Sequence, residues 1–431
     1  MRTISTPVVL SAIVAACFLF FFNPSSVFPV QRERKAAALR QLNDFAQTAL
    51  YDKDLFLGYP FNQDVQLEKF YAWYLQSGLH KAFLNNAGDP RHGDASSLAT
   101  HEFENQIIDF FAPRFGFNKD YWGFVTFSGT DGNAHGVYFG KKILSAASSA
   151  PPLMYVSVEA HYSIKKLADV QGIELRLIKA LPMGQIDVED FRAQLDPTRP
   201  ALVVVAIGTT FKGAIDDQDK INAVLDEVRP PAVYRHADAA LFGSILAFGD
   251  ANARSIVDAR LRKFDSIAIS GHKFWGLDEP MGLFITSNTV RNRLNPLRVE
   301  YLNEAVPTIS CSRSGLSPLK LWWRIRMTPT SDFEKMSATL QHNAAYLQRK
   351  LAQNNIRAWR NDFSNTVFFQ RPSQRVMDKY SLAPEQSPEF GPLAHVVVMQ
   401  HANKTILDTF VKDMIRDLRH NNSLGQRGDS R

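Results

Sequence analysis

Two short stretches of this chain carry residues able to do chemistry together. Ser270-Gly271-His272-Lys273-Phe274 sets an amine just after the apolar run 265–269, and His236-Ala237-Asp238-Ala239-Ala240 sets a carboxylate after the run 232–234. An amine at a strand end can attack an aldehyde and hold it as a Schiff base. A carboxylate framed by small residues can keep a ring nitrogen protonated. Pyridoxal phosphate (PLP) chemistry needs that pair, because the lysine carries the cofactor and the aspartate sustains its electron sink. Taken singly, each stretch also has a plainer reading: a loop with a solvated lysine, and an aspartate capping a helix.

Further candidates fall in order upstream. Phe127-Ser128-Gly129-Thr130-Asp131-Gly132-Asn133 follows an apolar strand and opens a helix. Backbone N–H groups at such a start hold an anion, and small residues let it approach closely; on its own the stretch reads as a turn and cap. Glu159-Ala160-His161-Tyr162-Ser163 follows the next strand and offers a flat imidazole, which alone reads as a structural histidine. Gly208-Thr209-Thr210, with Gly213-Ala214-Ile215-Asp216-Asp217 beyond it, follows a third strand, and a strand-to-loop turn accounts for it equally well.

The elements that must position these groups alternate. Apolar strand candidates lie at 153–156, 201–207, 232–234, 265–269 and 283–286, and helical stretches at 134–144 and 219–228 separate the first of them. Near-continuous apolar strands between helices predict a mainly parallel sheet covered on both faces. Ligands bind such sheets at the carboxyl ends of the strands, where Asp238 and Lys273 fall. After residue 301 the pattern becomes a smaller α+β unit, with helical segments around Trp322 and Trp323 and over 333–351, then strands at 366–369 and 395–399. The expected organisation is an N-terminal hydrophobic segment (1–30), a lead-in segment (31–95) with an amphipathic helix over 31–50, a large domain (96–300), a small C-terminal domain (301–420) and a disordered tail (421–431).

Composition narrows the class. The chain has 431 residues, 45% of them hydrophobic and 21% charged, the balance of an ordinary globular protein. Its net charge of +6 is spread along the chain without a basic block, which argues against nucleic acid as a partner. The two cysteines, Cys17 and Cys311, give neither a structural disulfide nor a cysteine zinc site, and the 11 histidines include no HExxH pair, so no metal is expected. Residues 8–22 are almost wholly apolar, and no charge lies between Arg2 and Arg32. Extended through Val27-Phe28, the run is expected to act as a membrane anchor or a signal-peptide core. The excess of basic residues after it favours a cytosolic body. Asn403-Lys404-Thr405 and Asn421-Asn422-Ser423 match glycosylation acceptors and point weakly the other way.

The order of the motifs, from phosphate loop through His161-Tyr162-Ser163, Gly208-Thr209-Thr210 and Asp238-Ala239-Ala240 to Ser270-Gly271-His272-Lys273, resembles the group II amino-acid decarboxylases of PLP fold type I, the aspartate aminotransferase-like architecture. Within that family the chain looks most like the histidine decarboxylases of bacteria and the serine decarboxylases of plants. Gly58-Tyr59-Pro60 and Asn85-Asn86 add to the likeness, which runs from about residue 57 to 417.

The resemblance implies that Lys273 holds the cofactor and Asp238 pairs with the pyridinium nitrogen. His161 stacks on the ring, with Ala240 near its other face. Gly129, Thr130, Ser270 and His272 hold the phosphate. Tyr301, in Val299-Glu300-Tyr301-Leu302, reprotonates the substrate carbon from a loop that reaches the partner subunit, so a homodimer is implied. The expected reaction is decarboxylation of serine, histidine or a related L-amino acid, with Asn85 and Asn86 as candidate contributors to the side-chain pocket.

The chain departs from the family at Asp131 (usually Glu), at Leu277-Asp278-Glu279-Pro280-Met281-Gly282 (usually a more apolar, cysteine-containing turn), at Cys311 and Ser314 (usually Gly and Asn) and in its N-terminal apolar run. These changes leave the substrate open. The alternatives are another fold type I reaction (aminotransferase, aldehyde synthase or carbon–carbon lyase) and an inert membrane-tethered binding protein, which would be expected to lose Lys273 or Asp238.

Overall fold

The strand β1 (Asn85–Ala87) pairs antiparallel with Ser312–Ser314, joining two stretches far apart in the chain. This computed structural model describes residues 24–92, 96–300 and 304–428. The chain falls into two units, 1–54 and 55–431. In the first, the helix Pro24–Asp52 covers the expected lead-in helix and extends past both of its ends. Most of the 8–28 apolar run lies outside the described residues. Among the described residues, no helix is long and apolar enough to cross a membrane.

The second unit is built on a seven-stranded sheet: β2 (Trp122–Thr126), β3 (Leu153–Ser157), β4 (Glu174–Ile178), β5 (Ala201–Ala206), β6 (Val233–Asp238), β7 (Ser266–Ser270) and β8 (Gly282–Thr286), in the order β2-β8-β7-β6-β5-β3-β4. Neighbours from β7 to β4 run parallel, and β8 lies antiparallel to both β2 and β7. Every residue of β2, β3, β5, β7 and β8 is buried, as expected of strands covered on both faces.

Two strands differ from the sequence reading. β6 continues through Arg235 and His236 to Asp238, because each polar side chain finds a partner: Arg235 Nε donates to Asn222 Oδ1 at 2.7 Å, and His236 is bonded at both ring nitrogens. β4 is an edge strand with Glu174, Leu175, Arg176 and Leu177 partly or fully exposed, so it shows no apolar run.

A four-stranded antiparallel sheet follows, in the order Ala358–Trp359, Thr366–Gln370, Gly391–Val397, Ala383–Ser387. The helices Thr330–Gln353 and Lys404–Gly428 supply Leu347, Leu351, Leu407 and Phe410 to its core. The last helix runs through 421–428, a stretch expected to be disordered. Once packed residues such as Phe410 and Met414 fix the first turns, each further residue adds a hydrogen bond at small cost. Apolar packing continues across residue 300: Leu319, Leu321 and Phe333 share a core cluster with Ile107, Ala237 and Phe274.

Candidate active site

The adjacent strands β6 and β7 bring the two reactive groups to one edge of the sheet. They pair in parallel register, His236 with Ser266 and Asp238 with Ala268. Asp238 closes β6, is 8% exposed, and accepts the Ala240 N–H at 3.2 Å. β7 ends at Ser270 and turns at once into the short helix Gly271–Phe274, which carries Lys273. Gly271 lets that turn close tightly: its N–H donates to Met281 O at 2.8 Å, and a Cβ there would meet Met281 Cγ at 2.9 Å. Burial pulls the Lys273 amine down to about 8 from 10.5, while the charge of Asp238 opposes the shift. A lysine held there is uncharged far more often than one in water, and an uncharged amine is the nucleophile.

His161 caps the helix Tyr162–Val170 and is anchored through Nδ1, which lies 2.7 Å from Ser163 Oγ and accepts the Ser163 N–H at 3.3 Å. With Nδ1 accepting, the ring proton sits on Nε2. Burial lowers the imidazole pKa, Asp238 raises it and Lys273 lowers it, so the three groups act on one another electrostatically. His272 is pushed down to about 4, first by burial and then by Lys273, and its Nδ1 lies 3.2 Å from Met281 O. It is neutral at physiological pH.

The helix Gly129–Ala147 begins beside this edge. Ser128 caps it, taking the Asp131 N–H at 3.2 Å. A Cβ on Gly129 would lie 2.3 Å from Ser270 Oγ and 3.1 Å from Ala240 Cβ, so a glycine brings the start of the helix against the ends of β6 and β7. Thr130, in the same first turn, is exposed. N–H groups of a first helical turn lack intrahelical acceptors and favour a phosphate. A buried amine, a buried carboxylate and a cradle that a Cβ would fill suit PLP, and Lys273, Asp238, Gly129, Thr130, Ser270, Ala240, His161 and His272 are the residues that could hold it. Tyr301 lies outside the described residues.

Asn86 has a different place from the one expected. It is fully buried, donates to Glu104 Oε2 at 3.0 Å and accepts the Thr100 N–H at 2.7 Å, while Arg313 pairs with the same Glu104 at 3.1 Å. A buried carboxylate needs such donors, so Asn86 serves the packing of β1 and not a side-chain pocket.

The departures at 278, 279 and 314 come together around the buried Lys320. Its amine lies 2.9 Å from Asp278 and 3.4 Å from Glu279, Tyr71 OH donates to Asp278, and Ser317 Oγ bonds Glu279 at 2.7 Å and Ser314 Oγ at 3.0 Å. These changes therefore compensate one another in a single polar cluster. Of the other departures named in the body, Asp131 accepts from Phe127 N at 3.0 Å and from Ser310 Oγ at 3.3 Å, and Cys311 is exposed.

Several polar groups to which the sequence reading gave no role of their own are drawn into hydrogen bonds and ion pairs beside the site. Asp216, 2% exposed, accepts the N–H groups of Ile186 at 2.8 Å and Ala206 at 2.7 Å, and Ala206 is the register partner of Asp238. Burial, with a smaller push from Asp238, raises its carboxyl to about 6. Lys212 joins Glu159 at 2.6 Å to Glu385 of the smaller sheet at 3.4 Å, just ahead of His161. His236 bridges Asn133 and Ser266. Its spacing from Asp238 was a usable signal, since residues two apart on a strand share a face.

Comparison with known proteins matches residues 139–360 to the pyridoxal-dependent decarboxylase conserved domain. A histidine decarboxylase from Solanum lycopersicum is 35% identical over 382 residues, covering 87% of this chain and 88% of that protein. Serine decarboxylase 1 from Oryza sativa subsp. japonica is 33% identical, covering 89% and 76%. Among solved structures, the L-methionine decarboxylase of Streptomyces sp.590 superposes with a TM-score of 0.75 at 21% identity, covering 88% of this chain and 94% of that one. The sphingosine-1-phosphate lyase of Burkholderia pseudomallei K96243 superposes with a TM-score of 0.73 at 18% identity, covering 92% of each. The two structures share the fold type I framework, and the match over most of two curated decarboxylases places this chain within the pyridoxal-phosphate-dependent amino-acid decarboxylases.

Proposed function

We propose that the chain decarboxylates a polar L-amino acid, with serine and histidine the first substrates to test, and that Lys273, Asp238 and His161 carry the chemistry. The observation that supports this most directly is the parallel register of β6 and β7, which sets Asp238 and the turn carrying Lys273 on neighbouring strand ends. When bound, PLP supplies the sink for the electron pair left behind as the α-carboxylate departs as carbon dioxide.

The chain's own residues do the rest. The amine of Lys273 would hold PLP covalently and would yield that place to the amino group of the substrate. Asp238 holds the proton on the ring nitrogen. Gly129, Thr130, Ser270 and His272 would receive the phosphate, and Ala240 would allow close packing beside the ring. His161 would stack on the ring, with its proton on Nε2. Tyr301, or His161 in its place, returns one proton to Cα, and the amine is released.

The same framework serves a lyase in Burkholderia, so fold alone leaves the bond to be broken undecided; the relatives above 30% identity favour the carboxylate bond. The histidine and serine decarboxylases match the chain at similar identity, which supports a small polar substrate and not one of the two over the other. A large domain over 96–300 holding the cofactor and a small one over 301–420 complete this reading. Dimerisation rests on the family resemblance, and light scattering of the purified protein gives twice the chain mass if it is right. The tether through residues 8–28 rests on the apolar run alone, and release of the protein from membranes by removing residues 1–30 tests it.

The deciding experiment offers the protein lacking residues 1–30 each common amino acid with PLP and follows carbon dioxide and amine together. Equal amounts of both from one substrate support the proposal, and ketoacid or aldehyde without carbon dioxide refutes it. Two further results are expected. Covalent capture of PLP by the apoprotein speeds up with pH and levels off above about 8, because only the uncharged Lys273 amine attacks; a profile still climbing towards 10.5 removes Lys273 from that role. Replacing Tyr301 with Phe slows amine release by on the order of 10²-fold and diverts part of the product to aldehyde, with the amino group and electron pair passing to the cofactor. An unchanged product ratio assigns the proton to another group.

A further inference from the structure

Beneath the helix Gly129–Ala147, the strand β6 presents Tyr234, His236 and Asp238 on one face. The helix backbone lies directly on the imidazole: a Cβ on Gly136 would come within 2.2 Å of His236 Nδ1. Gly140 makes a similar approach to Tyr234 one turn on, where a Cβ would meet its ring at 2.9 Å. His236 is wholly buried, with Nε2 2.9 Å from Asn133 Oδ1 and Nδ1 2.8 Å from Ser266 Oγ, and Tyr234 OH donates to the same Ser266 Oγ at 2.9 Å.

The donors order themselves in one direction. Nε2–H gives to Asn133, Ser266 O–H gives to Nδ1, and Tyr234 O–H gives to Ser266. That order requires a neutral ring, and burial depresses the imidazole to about 4 against the opposing charge of Asp238.

The elements that carry this chain also carry groups suited to the cofactor. Asp238 is two residues beyond His236 on β6. Ser270 is four beyond Ser266 on β7. Gly129 and Thr130 lie one helical turn before Asn133. One imidazole thus ties together the helix start suited to the phosphate and the two strand ends that present Asp238 and Ser270. A phenyl ring would fill the same space but would leave Asn133 Oδ1 without this donor and the Ser266 hydroxyl proton without this acceptor.

We propose that His236, bonded between Asn133 and Ser266, is a positioning residue that sets the span from Asp238 to the phosphate-receiving start of the helix. The inference rests on the cofactor reading above, and the test separates the two. Pyridoxal, which lacks the phosphate, engages Lys273 and Asp238 but does not feel that span; PLP does. Apoprotein carrying Asn133→Ala, which cuts the tie to the helix and leaves the sheet intact, is titrated with PLP and with pyridoxal while its thermal midpoint is recorded. The expected result is a loss of about five- to tenfold in PLP affinity, the size of one hydrogen bond, with pyridoxal affinity changed less than about twofold. Equal losses for both ligands, or none for either, overturn the proposal. His236→Gln, whose amide can reach both partners, is expected to keep PLP affinity within about threefold of the unaltered protein, and His236→Phe, which reaches neither, carries the same comparison if Asn133→Ala does not fold. Failure of the unaltered protein to bind PLP would instead overturn the cofactor reading itself.

Discussion

Lys273→Ala abolishes covalent capture of PLP and lowers turnover by at least about 10⁴-fold, the range seen when a covalent nucleophile is deleted. The size follows from how the lysine is held. It stands in a four-residue helix pinned by the Gly271–Met281 hydrogen bond, and burial has already removed most of the barrier to its uncharged form. Among the described residues, Lys273 is the lysine whose pKa burial lowers in this way. Lys212 is buried, yet Glu159 and Glu385 hold it as a cation, with its pKa raised. The variant should therefore bind PLP reversibly, through the phosphate and Asp238, without a borohydride-stable link. Mass spectrometry after reduction reads the outcome: an unmodified Lys273→Ala chain supports the role, and a chain still carrying the cofactor mass assigns attachment to another amine.

Much of the framework was legible because it is built from local signals. A strand covered on both faces must be apolar throughout, and β3, β5, β7 and β8 are. The small residues around Lys273 and Asp238 mark places where backbone turns sharply or another group comes close, and those can be read without knowing the fold. What stayed hidden depends on partners distant in sequence. β1 exists because Asn85–Ala87 meets Ser312–Ser314, and nothing near residue 85 announces that pairing. Asn86 looked like a pocket residue because its buried acceptor, Glu104, has meaning only with Arg313 beside it. The helix read over 134–144 begins at Gly129, since glycines that weaken a helix in isolation are kept where they let it lie on the sheet. His236 and Asn133 are 103 residues apart, so only the folded chain makes them a pair.

The compensated cluster around Lys320 bears on the departures from the family. A lone acidic residue at 278 would leave an uncompensated charge close to the Lys273 turn. Asp278 and Glu279 share a buried lysine instead, and Ser314 is drawn in through Ser317. Changing one member should cost more than changing all of them together, as expected for groups in one network. The departures at 278, 279 and 314 thus belong to one polar network around Lys320.

Asp238→Asn separates the two halves of the chemistry. The amide keeps the shape and can still accept the Ala240 N–H, but it carries no charge to hold a proton on the ring nitrogen. Covalent capture of PLP should persist, because Lys273 is untouched. Turnover should fall by on the order of 10²–10³-fold, the cost of deleting one preorganised electrostatic partner. The same substitution has a second readout with a definite sign. Asp238 raises the pKa of the Lys273 amine against the downward pull of burial, so losing its charge moves that pKa below about 8. The pH profile of PLP capture should then shift to lower pH while decarboxylation collapses. A variant that keeps decarboxylation within about threefold of the parent, with an unmoved capture profile, would show that Asp238 neither holds the ring proton nor acts on Lys273.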